Sequence, residues 1–204
     1  MNSVFRNSAL FLLLTITISN LTSCSGPAAS NNGTAEAPAN PVTNTQADSE
    51  EAKKNPNYRP IEKAVDQAEI KNLDGSVFHV ADKRGKVILL NMWATWCGPC
   101  RSEMPALVRM QDEHRDRGFE VIGLNTDDET VEDINTFAAQ MKLNYTLVWA
   151  DTALQKALLG ISNFGGIPQS FIIDREGNLR GVFRGANPAD IKKMEALVEL
   201  VVSE

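Results

Sequence analysis

Two cysteines stand two residues apart where an apolar run gives way to a helical pattern. The run is Val87-Ile88-Leu89-Leu90. Trp93-Ala94-Thr95-Trp96 follows, and then the pair itself, Cys97-Gly98-Pro99-Cys100. A strand that delivers a Cys-x-x-Cys turn to a helix start is a dithiol redox arrangement. One helical turn separates the two residues, so their sulfurs reach bonding distance. Cys97 falls at the helix N-terminus, where unpaired N–H groups and the helix dipole favour an anion. The thiolate is the reactive form, and such a position lowers a cysteine pKa from about 8.5 into the range of roughly 3.5–7.5. Cys97 is therefore expected to attack, and Cys100, one turn in on the buried face, to resolve the mixed disulfide. Gly98 lets the backbone turn closely, and Pro99 presets the first helical φ where its missing N–H costs nothing. Plainer readings fit less well. A structural disulfide across so small a loop constrains little. A metal half-site needs further ligands, and the chain has only His79 and His114 with no second cysteine pair.

The sequence around this juncture alternates strand and helix signals. A hairpin with an Asp74-Gly75 turn joins residues 68–73 to 77–80. A buried strand is expected over 86–92. A helix follows over 99–117, kinked at Pro105 and stopped by Gly118. Cys100, Met104, Leu107, Val108 and Gln111 lie on its inner face by spacing. A strand over 119–124 leads to Asp127-Asp128-Glu129-Thr130, which supplies caps and negative charge to the next helix. That helix has an apolar face of Val131, Ile134, Phe137, Ala138 and Met141. A short strand over 145–149 is followed by a helix capped by Asp151 and ended by Gly160. A hairpin joins 169–173 to 179–183. Asn187-Pro188 opens a last helix, with Ile191, Met194, Leu197, Val198 and Val201 facing inward. Strands alternating with helices, with a hairpin near each end, give an α/β class with a central mixed sheet flanked by helices. The net charge of −6 speaks against a nucleic-acid surface, which is basic. Trp93 is expected in the core under the cysteine pair. Trp96, next to Cys97, is expected as a partly exposed wall. His79 and His114 read as ordinary strand and helix-surface residues.

The N-terminal quarter has a different character. Residues 1–23 read as an export signal: Arg6 lies in the n-region, and an apolar stretch from about residue 9 to 18 is too short for a comfortable membrane span. The stretch ends Leu21-Thr22-Ser23-Cys24, which resembles the bacterial lipobox. By that resemblance Cys24 becomes a lipid-bearing mature N-terminus, which also accounts for the odd cysteine. Residues 24–57 are rich in Ser, Asn, Thr, Ala, Gly and Pro and are expected to form a disordered tether. Its typical span is roughly 30 Å by the flexible-chain estimate. The folded domain is then 58–204.

The stretch Asn91-Met92-Trp93-Ala94-Thr95-Trp96-Cys97-Gly98-Pro99-Cys100 resembles the active-site segment of thioredoxins. Cys100-Arg101-Ser102-Glu103-Met104-Pro105 is more similar to the TlpA/ResA branch of that superfamily, membrane-anchored thiol-disulfide oxidoreductases of bacteria. Gly165-Gly166-Ile167-Pro168-Gln169-Ser170-Phe171-Ile172-Ile173-Asp174 resembles the branch's second hallmark. The resemblance covers about residues 60–204 and implies a thioredoxin-like fold. It implies that Pro168 is a cis-proline facing the dithiol, and that Ile167 offers backbone groups to an incoming peptide as an added strand. It implies no cofactor. The stretch from about residue 129 to 159 resembles the helix-strand insertion of TlpA/ResA and peroxiredoxin-like groups.

Two positions depart from thioredoxin. Its buried aspartate corresponds to Asn91, which cannot ionise, and the lysine paired with that aspartate falls near Gly123. Glu103 is the candidate to move protons instead. It lies three residues after Cys100, on the same helix side. Burial beside a thiol raises a carboxyl's pKa and suits it to trade protons with Cys100. The resemblance further implies disulfide-containing exported proteins as substrates, apocytochrome c among them. It implies recharging by a membrane electron donor of the CcdA/DsbD kind. Ser25 after the lipid cysteine points to the outer membrane of a diderm host, or to the outer face of the cytoplasmic membrane in a monoderm one. Two alternatives stay open. One is a thiol peroxidase of peroxiredoxin type, although Thr95 lies two before Cys97 instead of three. The other is a non-enzymatic copper-binding or chaperone module using the two thiols.

Overall fold

The computed structural model describes residues 58–204. The export signal, Cys24 and the tether lie outside the described residues. The elements in chain order are α1 (Lys63–Asp66), β1 (Ile70–Asn72), β2 (Val77–Phe78), β3 (Val87–Trp93), α2 (Gly98–His114), β4 (Phe119–Asn125), α3 (Val131–Met141), β5 (Thr146–Trp149), α4 (Thr152–Ser162), β6 (Gln169–Ile173), β7 (Leu179–Arg184) and α5 (Pro188–Ser203). One seven-stranded sheet runs in the order β2-β1-β5-β4-β3-β6-β7. The pairs β3–β4 and β4–β5 are parallel; the hairpins β1–β2 and β6–β7, and the pairs β1–β5 and β3–β6, are antiparallel. The sheet is therefore mixed, with a hairpin at each end, as expected, and α3, β5 and α4 lie between β4 and β6 in the chain.

Every residue of β3 is buried, because helices cover both faces of the sheet. Side chains alternate between those faces. Val87 and Leu89 meet Leu107 and Met110 of α2 and Met194 and Val198 of α5. Ile88, Leu90 and Met92 meet Val65 of α1 and Leu154 and Leu158 of α4. Trp93 is fully buried among Cys100, Met104, Ile134 and Phe137, its ring stacked on Phe137 at a centroid distance of 5.2 Å. Burial on this scale, at roughly 1.5–3 kcal/mol per large apolar side chain, fixes where β3 ends and so where the cysteines stand.

The helix starts follow the sequence closely. Thr130, Asp151 and Asn187 each cap a helix through their side-chain oxygens, a contribution of about 1 kcal/mol apiece. Several local expectations are corrected. After β2 the chain turns into a 3₁₀ segment, Val80–Lys83, because Asp82 accepts from the His79 backbone N–H at 2.7 Å; residues 79 and 80 are not strand. The α-helix runs through Pro105 to His114. A 3₁₀ turn, Arg115–Arg117, then carries the chain to Gly118, whose φ of 79° ends it. Met110 is buried where Val108 was expected, and Val108 is only half-buried. His114 is buried rather than at the surface, edge-on to Phe119 and 3.7 Å from Glu199. Val131, at the first position of α3, is exposed. α4 continues through Gly160 and ends at Asn163, which takes a left-handed conformation. Helical spacing says which residues share a face but not how wide the neighbouring surface is, and these misses lie at the edges of the buried stripes.

Candidate active site

β3, a central strand, ends at Trp93, and Ala94-Thr95-Trp96 carries the chain to Cys97, the N-cap of α2. Cys97 Sγ accepts from the Cys100 N–H at 3.2 Å. The two cysteines are joined by a disulfide, their Cα atoms 5.3 Å apart. Cys100 is wholly enclosed and Cys97 nearly so. Cys97 still lines a cleft of about 480 Å³ together with Trp96, Pro99, Leu159, Gly165 and Ile167. Its sulfur lies 3.9 Å from the Ile167 carbonyl oxygen, a contact within donating range of a thiol in the reduced form. The Ile167–Pro168 peptide is cis. Pro168 leads into β6, whose Gln169 pairs with Met92 of β3. Gln169 also donates to the carbonyls of Phe164 and Gly166, at 3.0 and 2.5 Å, which holds the wall of the cleft opposite the cysteines. Trp96 is two-thirds exposed. Dithiol, Trp96, Ile167 and Pro168 are thus brought together at one end of β3 and β6.

Glu103 lies on the inner side of α2 and is only 2% exposed. Asn91 Nδ2 donates to its Oε1 at 2.6 Å and to Ser170 Oγ at 3.0 Å. Burial pushes the Glu103 carboxyl up to about 7, against the opposing pull of the Asn91 hydrogen bond. A carboxyl in that range is part protonated near neutrality, so it both gives and takes a proton there. Asn91 therefore holds the acid in place of being one. Gly123 pairs with Asn91 across β3 and β4. A Cβ at Gly123 would come within 2.7 Å of Leu147 Cδ2 and 3.0 Å of Trp93 Nε1, so the site has no room for a lysine. Both departures from thioredoxin are thereby accommodated in the packing.

Two carboxylates beyond β4 were not foreseen as part of the site. Glu129 accepts from the Thr95 N–H at 3.2 Å, from the Thr95 hydroxyl, and from Asn125 Nδ2 at 2.6 Å. Asp127 accepts from Trp96 Nε1 at 2.7 Å, which draws its carboxyl below the ordinary value. Together they clamp the loop that presents Cys97. The sequence marks residues 127–130 as a polar helix start and nothing more; only the adjacency of β4 to β3 puts them beside the cysteine loop. Thr95, one position off the threonine of the peroxidase pattern, has its hydroxyl engaged by Glu129. Among the described residues no group of three or more His, Cys, Asp or Glu is placed to hold a metal ion. None of the described helices is long and apolar enough to cross a membrane.

The family model described as AhpC/TSA family matches residues 61–182. The thiol-disulfide oxidoreductase ResA of a Bacillus cereus strain is 32% identical over 112 residues, 54% of this chain and 61% of that protein. The thioredoxin-like protein YneN of Bacillus subtilis (strain 168) is 30% identical over 133 residues, 64% of this chain and 74% of that protein. The match thus spans about 61% of the length of the ResA proteins of Bacillus cereus, Bacillus thuringiensis and Bacillus anthracis. Among solved structures, a thiol:disulfide interchange protein of the thioredoxin family from Chlorobium tepidum superposes with a TM-score of 0.59 at 30% identity, covering 71% of this chain and 97% of that one. A secreted thiol-disulfide isomerase from Corynebacterium glutamicum gives a TM-score of 0.60 at 25% identity, covering 67% and 84%.

Proposed function

This chain belongs to the AhpC/TSA family, with a thioredoxin-like fold, and on that footing we propose that it is a thiol-disulfide oxidoreductase acting on disulfides of other proteins. The observation that carries the reading is the Cys97–Cys100 disulfide at the N-terminus of α2, in a cleft walled by Ile167 and Pro168 and backed by buried Glu103. In the reduced protein the Cys97 thiolate attacks one sulfur of a substrate disulfide. That S–S bond breaks, a mixed disulfide forms, and the released substrate thiolate takes a proton. Cys100 gives its proton to the Glu103 carboxylate and attacks Cys97 Sγ. The second substrate thiolate leaves, and the Cys97–Cys100 disulfide closes, two electrons having passed to the substrate. The Ile167 backbone beside Pro168 holds the substrate segment in the manner of an added strand, with Trp96 as an apolar wall. No cofactor enters the exchange.

Replacing Cys100 with serine tests this scheme. Without the resolving thiol, the mixed disulfide at Cys97 is expected to persist and to be visible as a reducible adduct on non-reducing gels, with partner identities readable by mass spectrometry. If Cys100→Ser accumulates no adduct beyond those also seen in Cys97→Ser, the mechanism is removed.

An exported protein, lipid-anchored at Cys24 and tethered through residues 24–57, works outside the cytoplasm, at the outer membrane of a diderm host or the outer face of the cytoplasmic membrane. There it reduces exported proteins, apocytochrome c among them, and is recharged by a membrane donor of the CcdA/DsbD kind. Its support is the lipobox-like Leu21-Thr22-Ser23-Cys24 and the similarity to ResA proteins. Deletion of the gene is expected to deplete c-type cytochromes, measured by haem staining. Normal levels would remove that part and leave the exchange chemistry standing.

A further inference from the structure

A buried carboxyl that trades protons must be satisfied both charged and neutral. Asn91 gives Glu103 one donor. Three further buried polar atoms beneath α2 have no hydrogen-bond partner among the described residues: Trp93 Nε1, the Tyr145 hydroxyl and Asn91 Oδ1. Strand register groups them. Asn91 and Gly123 are paired across parallel strands, so their side-chain directions share a face, and Trp93, two residues beyond Asn91, shares it too. That face is the one α2 covers, since Asn91 reaches Glu103. A Cβ on Gly123 would meet Trp93 Nε1 at 3.0 Å and the Tyr145 ring at 3.2 Å. The indole N–H and the tyrosine therefore occupy the space beside the Asn91–Glu103 pair that a side chain at 123 would take. Tyr145 packs against both apolar clusters of this face. It also lines a surface cavity of about 460 Å³ with Lys83, Lys86 and Asn144. Burial first, and then the nearby Glu103 charge, raise its phenol well above the ordinary value.

We propose that Tyr145 is a positioning residue for Glu103: its hydroxyl and the Trp93 indole N–H donate to the ionised carboxylate through buried water, while Asn91 Oδ1 accepts from the carboxylic acid. Two donors serve one protonation state and one acceptor serves the other. Buried polar groups that the protein leaves unpaired are rare, and water commonly completes them. The reading rests on the assignment of Glu103 as the proton partner of Cys100. When Cys100 protonates Glu103, a thiol becomes a thiolate and a carboxylate becomes an acid; the acid then returns the proton to solvent, and no electron moves in that step. Among the described residues, Cys100 lies three positions before Glu103 on its own helix, and Tyr145, before β5, is near enough to feel the Glu103 charge. β3 and β6 present neutral Asn91, Trp93 and Ser170, and α3 presents Ile134 and Phe137.

The test is a carbon-13 NMR titration of the Glu103 carboxyl in the oxidised protein, its signal assigned by its loss in Glu103→Gln. Tyr145→Phe deletes one oxygen and keeps the packed ring. Loss of a donor to the charged form is expected to raise the Glu103 midpoint by about half a unit to one unit, a three- to tenfold gain in proton affinity. Fluorotyrosine incorporation leaves the ring in place and strengthens the donor, so it is expected to move the midpoint down. A midpoint in Tyr145→Phe within about 0.2 unit of wild type overturns the proposal. A moved midpoint, together with a Glu103→Gln variant whose exchange rate keeps the wild-type pH profile, overturns instead the assignment of Glu103 to proton transfer.

Discussion

Cys97→Ser is expected to abolish disulfide exchange while leaving the fold intact. Serine has no accessible thiolate analogue near neutral pH, so the attacking species disappears. The expected loss is at least about a thousandfold, since removing a nucleophile deletes the step that all later steps require. The structural cost is small for a specific reason. Cys97 is the N-cap of α2, and its sulfur accepts the Cys100 N–H. Serine is a favoured N-cap and accepts the same bond. Rates measured on a small protein disulfide, alongside melts of Cys97→Ser and of reduced wild type, separate the two effects. Exchange within tenfold of wild type would mean that Cys97 is not the attacking sulfur. The Cys100→Ser protein provides the contrast, because it retains the first step and stalls at the second.

The second large effect concerns stability against pH. The folded Glu103 carboxyl titrates at about 7, against an ordinary value of 4.5. Below the lower value both folded and unfolded chains hold the proton, and the full stability is present. As pH rises from there, the unfolded chain gives up its proton first, so the folded state binds more and stability falls. The fall ends once the pH passes the folded value. Over that window the shift is worth about 3 kcal/mol, at about 1.4 kcal/mol per unit. Glu103→Gln removes this dependence while still accepting a hydrogen bond from Asn91. Denaturant melts of the two oxidised proteins are therefore expected to diverge as pH rises, with Gln gaining about 3 kcal/mol on wild type between about pH 4 and 8. Other carboxylates pull the opposite way: Glu120, held by Lys83 and Lys86, is kept below its ordinary value. The difference between the two proteins is thus the quantity to read. A gap that stays constant with pH would show that Glu103 is not protonated by burial. In exchange assays on the reduced proteins, the inflection near neutrality is expected to vanish in the same variant.

Much of the site was legible locally. The dithiol, its strand and its helix lie within one stretch, and caps such as Asn187-Pro188 act over a few residues. Glu103 was legible in part, since helical spacing places it on the Cys100 side of α2. Its partner was not. Asn91 read as a lost aspartate, whereas in the fold it donates to the buried Glu103 carboxyl. Gly123 read as a lost lysine, whereas the Trp93 indole and Tyr145 ring fill that space. His114 read as a surface residue because its helix spacing leaves it at the stripe's edge; the neighbouring Phe119 and Glu199 enclose it.

By itself the sequence determined the α/β class, the alternation that buries β3 on both faces, and Cys97 and Cys100 at a strand-to-helix junction. These follow from backbone preferences and side-chain periodicities that act within about one turn or one strand. Only the tertiary structure decided that Glu129 and Asp127 hold the cysteine loop and that Asn91 holds Glu103. Thr95 and Glu129 are 34 residues apart, and Asn91 and Ser170 are 79 apart. β4 and β6, flanking β3, bring Glu129 and Ser170 to it. The proton affinity of Glu103 belongs to the same level, because desolvation is set by everything that closes over a group and not by its neighbours in the chain.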